Sequence, residues 1–207
     1  MLITIFSLIV LLFSIVIHEV AHGSVALSQG DATAKYAGRL TLNPIKHLDP
    51  MGSILLPLLL LVLTAGHGPI FGWAKPVPVN PNLFRDRKWG ELKVSIAGPA
   101  ANFLIAIMFG LVIRFFPLSG QLIDLFSIIC IYNILLGLFN LIPIPPLDGS
   151  HILFSFLPYR FFKFKMILSQ YGFFIVIFLL FFFGGFQLLI NIDLKIFSMI
   201  SGLNFAI

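Results

Sequence analysis

Long apolar runs, interrupted by single polar residues at a few points, set the pattern of this chain. Leu2 to Leu27 is apolar almost throughout, and so are Met51 to Ala65, Val94 to Phe116, Leu122 to Ile142 and Tyr171 to Ile190. A helix needs about 20 apolar residues to cross a hydrocarbon core about 30 Å thick, and four of these runs meet or approach that length. Met51 to Ala65 is short and carries Pro57, which predicts a re-entrant hairpin or a short tilted helix. Between the first and third long runs, "KYAGRLTLNP" alternates polar and apolar residues, and prolines keep "GWAKPVPVNP" extended. Both are expected to form short strands at the membrane surface, with an edge that an extended peptide can join by strand addition. From Ile152 to Lys165, "ILFSFLPYRFFKFK" mixes aromatic with basic residues, as a connector lying in the membrane interface would.

Composition agrees with the pattern. Of the 207 residues 59% are hydrophobic and only 10% are charged, against about 25% in an ordinary soluble domain. The expected fold is an all-α polytopic membrane protein, with about four to six transmembrane or re-entrant segments and short surface β-strands. No internal repeat or low-complexity linker divides the chain. A single integral membrane domain over 1–207 is therefore expected, with a core over about 1–150 and a C-terminal interfacial segment and span over 151–207. The N-terminal run lacks the basic n-region of a secretory signal and exceeds a typical h-region. Cys130 is the only cysteine, so no disulfide forms within the chain.

The net charge of +5 sorts by loop. Lys35, Arg39, Lys46, Lys75, Arg85, Arg87, Lys88 and Lys93 lie between the first and third runs, and Arg160, Lys163 and Lys165 between the fourth and fifth. The positive-inside rule then places the N-terminus outside and both basic connections in the cytoplasm. Those cations serve topology and contact with anionic lipid in an integral inner-membrane protein; they are not a nucleic-acid footprint.

Against this background "SIVIHEVAHGS" stands out, because His18, Glu19 and His22 interrupt a lipid-soluble run. Residues four apart stack on one helix face, so His18 and His22 can offer two imidazole nitrogens to one ion, with Glu19 adjacent to the first and able to hold a metal-bound water. H-E-x-x-H on a helix is the signature of a zinc-dependent protease, and Zn2+ suits two imidazoles, one oxygen and an open fourth position. The competing reading is a histidine pair packed between helices. An isolated Glu19 in hydrocarbon costs about 2.5 kcal/mol or more, however, and a divalent cation offsets it. At about 1.5 Å per residue His18 lies about 24 Å from Leu2, near the inner edge of the core and within reach of cytoplasmic water.

A third protein ligand must come from the remaining acids and histidines. Asp31, Asp49, Asp86, Glu91 and His47 lie in polar connections where solvation accounts for them, His67 sits in an apparent turn, and Asp124 and Asp193 fall at expected outer ends. "NLIPIPPLDGS" remains, where Asp148 follows Pro143, Pro145 and Pro146 directly after the fourth run. Those prolines forbid regular helix, and irregular backbone at membrane depth survives only where protein or a wet cavity covers it. Asp148 is the expected third ligand and His151 the alternative, while a plain Asp-Gly turn is the non-functional reading. Asn102, inside the third run, must also find a partner; gluing helices together beside Gly98 and Ala101 and supporting the site are both open to it.

"HEVAH", "AGPAANF" and "NLIPIPPLDG", in that order, resemble the site-2 protease family of intramembrane zinc metalloproteases, peptidase family M50. The resemblance is to its short form without PDZ or CBS domains; "GRLTLNPIKHLDPMG" and "GWAKPVPVNP" also look like the short prokaryotic branch, and together the match runs from about Leu2 to Ser150. It implies that His18, His22 and Asp148 bind one zinc ion, that Glu19 is the catalytic acid and base, and that Asn102 and Asn140 sit near the site to support substrate backbone or the oxyanion. The implied substrate is a protein with a transmembrane helix, cut within or next to that helix after local unwinding, at an active site near the cytoplasmic side. Two rival functions are a membrane zinc transporter, which would favour further polar ligands along a path, and a catalytically silent scaffold that binds membrane helices, which need not keep all four catalytic positions.

Overall fold

The computed structural model describes residues 2–55, 59, 62–63 and 75–203. Among them every regular element is helical. The α-helices are α1 (Leu2–Ser28), α2 (Thr33–Tyr36), α3 (Gly90–Phe115), α4 (Gly120–Asn140), α5 (Asp148–Phe156), α6 (Phe162–Phe182) and α7 (Gly185–Ser201). Four helical segments are long and apolar enough to cross a membrane: Leu2–Ser28, Gly90–Phe115, Gly120–Asn140 and Tyr159–Phe182. Three coincide with expected spans. The stretch expected over Met51 to Ala65 lies partly outside the described residues; its start, Pro50–Leu55, is a π-helical turn.

The last expected span is drawn differently. Tyr171 to Ile190 is not one helix, because Phe183 and Gly184 end α6 and Gly184 takes φ +68, a left-handed conformation that glycine adopts without penalty. α6 instead begins at Phe162, inside the segment expected to lie in the interface, and α5 occupies Asp148–Phe156. Asp193, expected at an outer end, lies in the middle of α7 with its side chain 2% exposed.

The two expected strands are also absent among the described residues. In "KYAGRLTLNP" the chain turns at Gly38, with φ +64, and Asn43 caps a 3-10 turn over Pro44–His47. Residues 75–80 carry no regular structure, and among the described residues no strand pairs with them. Pro76 and Pro78 have no N–H to donate, and the N–H groups of Lys75, Val77 and Asn80 go to the His47 carbonyl, to Glu19 and to Asp31. Of the segment's N–H groups only that of Val79 is left for a ladder. The segment is instead a strap pinned across the end of α1.

Packing at the centre follows spacing. In α1 the buried residues include Val10, Ser14, His18, His22 and Ala26, each four after the last; in α3 they include Gly90, Val94, Gly98, Asn102, Ala106 and Gly110, with the same spacing. Rows four apart form ridges, and small residues along one ridge let the partner backbone come close. α1 and α3 run antiparallel, since His22 bonds at Val94 and Ser14 bonds at Asn102. On its other side α3 meets α4 and α7 in an apolar core of Ala106, Ile113, Cys130, Ile134 and Phe197.

The strap depends on Asp31, which is fully buried and accepts from the Asn80 and Thr33 N–H groups and the Thr33 hydroxyl. Burial opposes ionisation, but those donors outweigh it and hold the carboxyl below its ordinary range. Its stabilising contribution is thus present above the unfolded value of about 3.9 and is lost as pH falls through the folded one. Asp31→Asn is expected to cost about 1.5–3 kcal/mol at neutral pH, as for loss of hydrogen bonds to a charged group. Thermal melts of both proteins in detergent check this, and the gap between them should close as pH drops below about 4.

Candidate metal centre

His18 and His22 lie in the second half of α1, on the ridge that faces α3. Each ring is held from behind at Nδ1. His22 Nδ1 meets the Val94 carbonyl at 2.7 Å, and His18 Nδ1 meets Asn102 Oδ1 at 2.6 Å. A carbonyl only accepts, so the His22 proton sits on Nδ1 and the Nε2 lone pair points forward. The two Nε2 atoms are 3.0 Å apart.

Asp148 arrives from the far end of the fold. Prolines end α4 at Asn140 and leave an irregular turn, and Asp148 opens α5. Gly149 permits that turn, since an added Cβ would collide with the carbonyl oxygens of Leu141 and Ile142. Asp148 Oδ2 then lies 3.0 Å from His18 Nε2 and 3.2 Å from His22 Nε2.

Two imidazole nitrogens and a carboxylate oxygen converge within 4.8 Å of one another, and no other such group of His, Cys, Asp or Glu occurs among the described residues. Ligands at the corners of a zinc tetrahedron, with bonds of about 2.0–2.1 Å, stand about 3.3–3.4 Å apart. The observed triangle is slightly tighter than that. Three electron-rich atoms this close repel unless a cation lies between them, so the donor set fits zinc. Gly98 supplies a second sign of fit. An added Cβ there would sit 2.6 Å from His18 Nε2 and closer still to His22 Nε2, so only glycine leaves the face of the triangle clear.

A cavity of about 350 Å3 opens beside the triangle. Glu19, Glu91, Ser95, Asn140 and His151 line it together with the three candidate ligands, and Pro76, Val77, Val79, Phe84 and Val94 form an apolar wall. Glu19 Oε2 accepts from the Val77 N–H at 2.8 Å, so the strap holds the carboxylate against the cavity.

Not every expected site residue faces this space. Asn140 does, with Nδ2 donating to the Leu136 carbonyl. Asn102 does not: it is fully buried behind His18, and its amide is engaged by Ser14 and Asn133. His151, the alternative ligand, stands outside the triangle. Its Nδ1 lies 2.9 Å from Glu91 Oε1, and that carboxylate raises the imidazole above its ordinary value although burial works against it. Glu91 is therefore not a loop acid but a half-exposed, ion-paired residue in the first turn of α3. It falls on the α3 face shared with Val94, Ser95 and Gly98, a placement that helical spacing could have revealed.

Comparison with known proteins agrees with this chemistry. Residues 117–179 match the profile of peptidase family M50. A Bacillus subtilis (strain 168) protein named "Putative zinc metalloprotease YwhC" is 43% identical over 159 residues, covering 72% of this chain and 68% of the relative. The similarly named Rip2 of Mycolicibacterium smegmatis is 33% identical over 171 residues, covering 82% of this chain and 64% of that protein. "Zinc metalloprotease MJ0392" of Methanocaldococcus jannaschii is 42% identical over 66 residues, covering 32% of this chain and 20% of the relative. No solved structure matches.

Gly98→Ala probes the triangle without removing a ligand. The methyl group would displace both imidazoles. Zinc retained after dialysis against a chelator, measured by atomic absorption, should fall by about 10-fold or more, in the range seen when the setting of metal ligands is disturbed.

Proposed function

This chain belongs to peptidase family M50, and from that premise we propose that it is a site-2-type intramembrane metalloprotease, hydrolysing a peptide bond within or next to a membrane-spanning helix of a protein substrate. The observation that carries the reading is the convergence of His18 Nε2, His22 Nε2 and Asp148 Oδ2 beside Glu19, at the wall of one cavity. His18, His22 and Asp148 would hold one zinc ion. Bound there, zinc supplies Lewis acidity to the scissile carbonyl and to water.

The chain's own residues do the rest. Val77 engages one oxygen of Glu19, which leaves the other to take a proton from the attacking water and return it to the leaving amine. Asn140 keeps its Oδ1 and second N–H for the substrate backbone, since only one N–H goes to Leu136. The apolar wall of Val77, Val79, Phe84 and Val94 suits an unwound stretch of membrane helix and limits water around it. A substrate helix must unwind first, because its carbonyls are otherwise held in its own hydrogen bonds, so Gly, Pro or Asn near the cut favours cleavage. The cations of the basic connections support a cavity that opens toward the cytoplasm, by the positive-inside rule.

In Glu19→Gln, zinc content should stay near one ion per chain while turnover falls by about 100- to 10,000-fold, the range for loss of a general acid and base. Co-expression of each form followed by membrane proteomics checks this. Membrane proteins should accumulate only with the variant. Zinc flux into liposomes without any such accumulation would favour a transporter instead.

A further inference from the structure

Behind His18 runs a string of buried side chains whose hydrogen bonds can point in only one direction. Ser14 is 3% exposed, Asn102 0% and Asn133 1%, and none of them lines the cavity. We propose that Asn133, with Ser14, is a positioning residue that fixes the tautomer of His18 so that Nε2 presents its lone pair to the metal. The proposal rests on the reading of His18 as a zinc ligand.

Backbone carbonyls set the direction, because they only accept. Asn133 Nδ2 donates to the Ile129 carbonyl at 2.9 Å and to Ser14 Oγ at 2.9 Å, and the Ser14 hydroxyl donates in turn to the Val10 carbonyl at 2.8 Å. Both hydrogens of the Asn133 amide are then in use, so its Oδ1 is the atom turned to Asn102. Asn102 Nδ2 donates to that oxygen at 2.9 Å and to the Ser14 carbonyl at 3.2 Å. Its Oδ1 is left facing His18 Nδ1 at 2.6 Å and can only accept there. His18 must therefore carry its proton on Nδ1.

Reversing any member breaks the string. A flipped Asn102 would set its oxygen against the Ser14 carbonyl and Asn133 Oδ1, and a flipped Asn133 would do the same at Ile129. The other His18 tautomer would put a lone pair against Asn102 Oδ1 and a proton inside the ligand triangle. Simple glue between helices needs satisfied bonds but no particular order. Here the order is forced, and its one outlet is the ring nitrogen opposite the ligand atom. The circuit also leaves α1 at His18, crosses α3 and α4, and returns to α1 one turn earlier at Ser14, so three membrane helices hold one imidazole.

The test compares Asn133→Leu, which removes the acceptor for Asn102, with Asn133→Gln, which keeps an amide with both its oxygen and its hydrogens. Imidazole nitrogen resonances of the 15N-histidine-labelled full chain in detergent, at alkaline pH where free imidazoles are neutral, report the tautomer of His18 among the five histidines. Wild type and Asn133→Gln should show His18 protonated on Nδ1, while Asn133→Leu should show mixed tautomers. Zinc affinity by chelator competition should weaken about 10- to 100-fold in Asn133→Leu and stay within about threefold in Asn133→Gln. An unchanged tautomer and affinity in a folded Asn133→Leu would overturn the proposal. If that variant does not fold, His18 protonated on Nε2 in the wild type would overturn it equally. A wild type protonated on Nδ1 that binds no zinc would instead end the metal reading and leave the string intact.

Discussion

Three donor atoms held 3.0 to 3.2 Å apart at the edge of a cavity form the constraint on which the rest of this fold depends. As bare lone pairs His18 Nε2, His22 Nε2 and Asp148 Oδ2 repel one another, so a metal ion or a shared proton must lie among them, and much of the chain serves to keep them there. The Val94 carbonyl and Asn102 hold the rings from behind, Gly98 clears the face, and a proline-rich turn delivers the carboxylate from a different helix. The same atoms that make the site costly to assemble would suit a small divalent ion, and Glu19 beside them is held by the Val77 N–H at the cavity wall.

Assembly of such a site in a bilayer places demands on packing. Lipid tails provide no hydrophobic drive between helices, so close fit and hydrogen bonding must hold them together. The ridge of Gly90, Gly98, Ala106 and Gly110 on α3 meets the α1 ridge on one face and α7 near the far end, where Ile200 packs over Gly110. Asn102 sits midway along that ridge and turns the helix contact into part of the metal site. Stability and chemistry share one row of residues, and a substitution there disturbs both.

The chemistry was more legible in the sequence than the architecture was. His18, Glu19 and His22 announce themselves because three ionisable groups at helical spacing in an apolar run have few innocent explanations, and Asp148 follows from the prolines before it. The surface strands were misread because alternation and prolines also describe a strap whose N–H groups go to carboxylates, and only the tertiary position of Glu19 and Asp31 shows that. The C-terminal span was misplaced because "YGFFIVIFLLFFFGGFQLLI" is apolar on both sides of the Gly184 break. Asn102 lies against His18 but on the side away from the cavity, and sequence alone could not tell the two sides apart. Asn133 gave no signal by itself, since a lone amide in a helix becomes meaningful only when the neighbouring helix supplies its partner.

X-ray absorption at the zinc edge of the purified full chain tests the central claim most directly. The expected result is one zinc per chain with two imidazole nitrogens and carboxylate oxygen in its first shell, lost when His18, His22 or Asp148 is replaced by alanine. A first shell without imidazole, or the same spectrum retained in those variants, would contradict it.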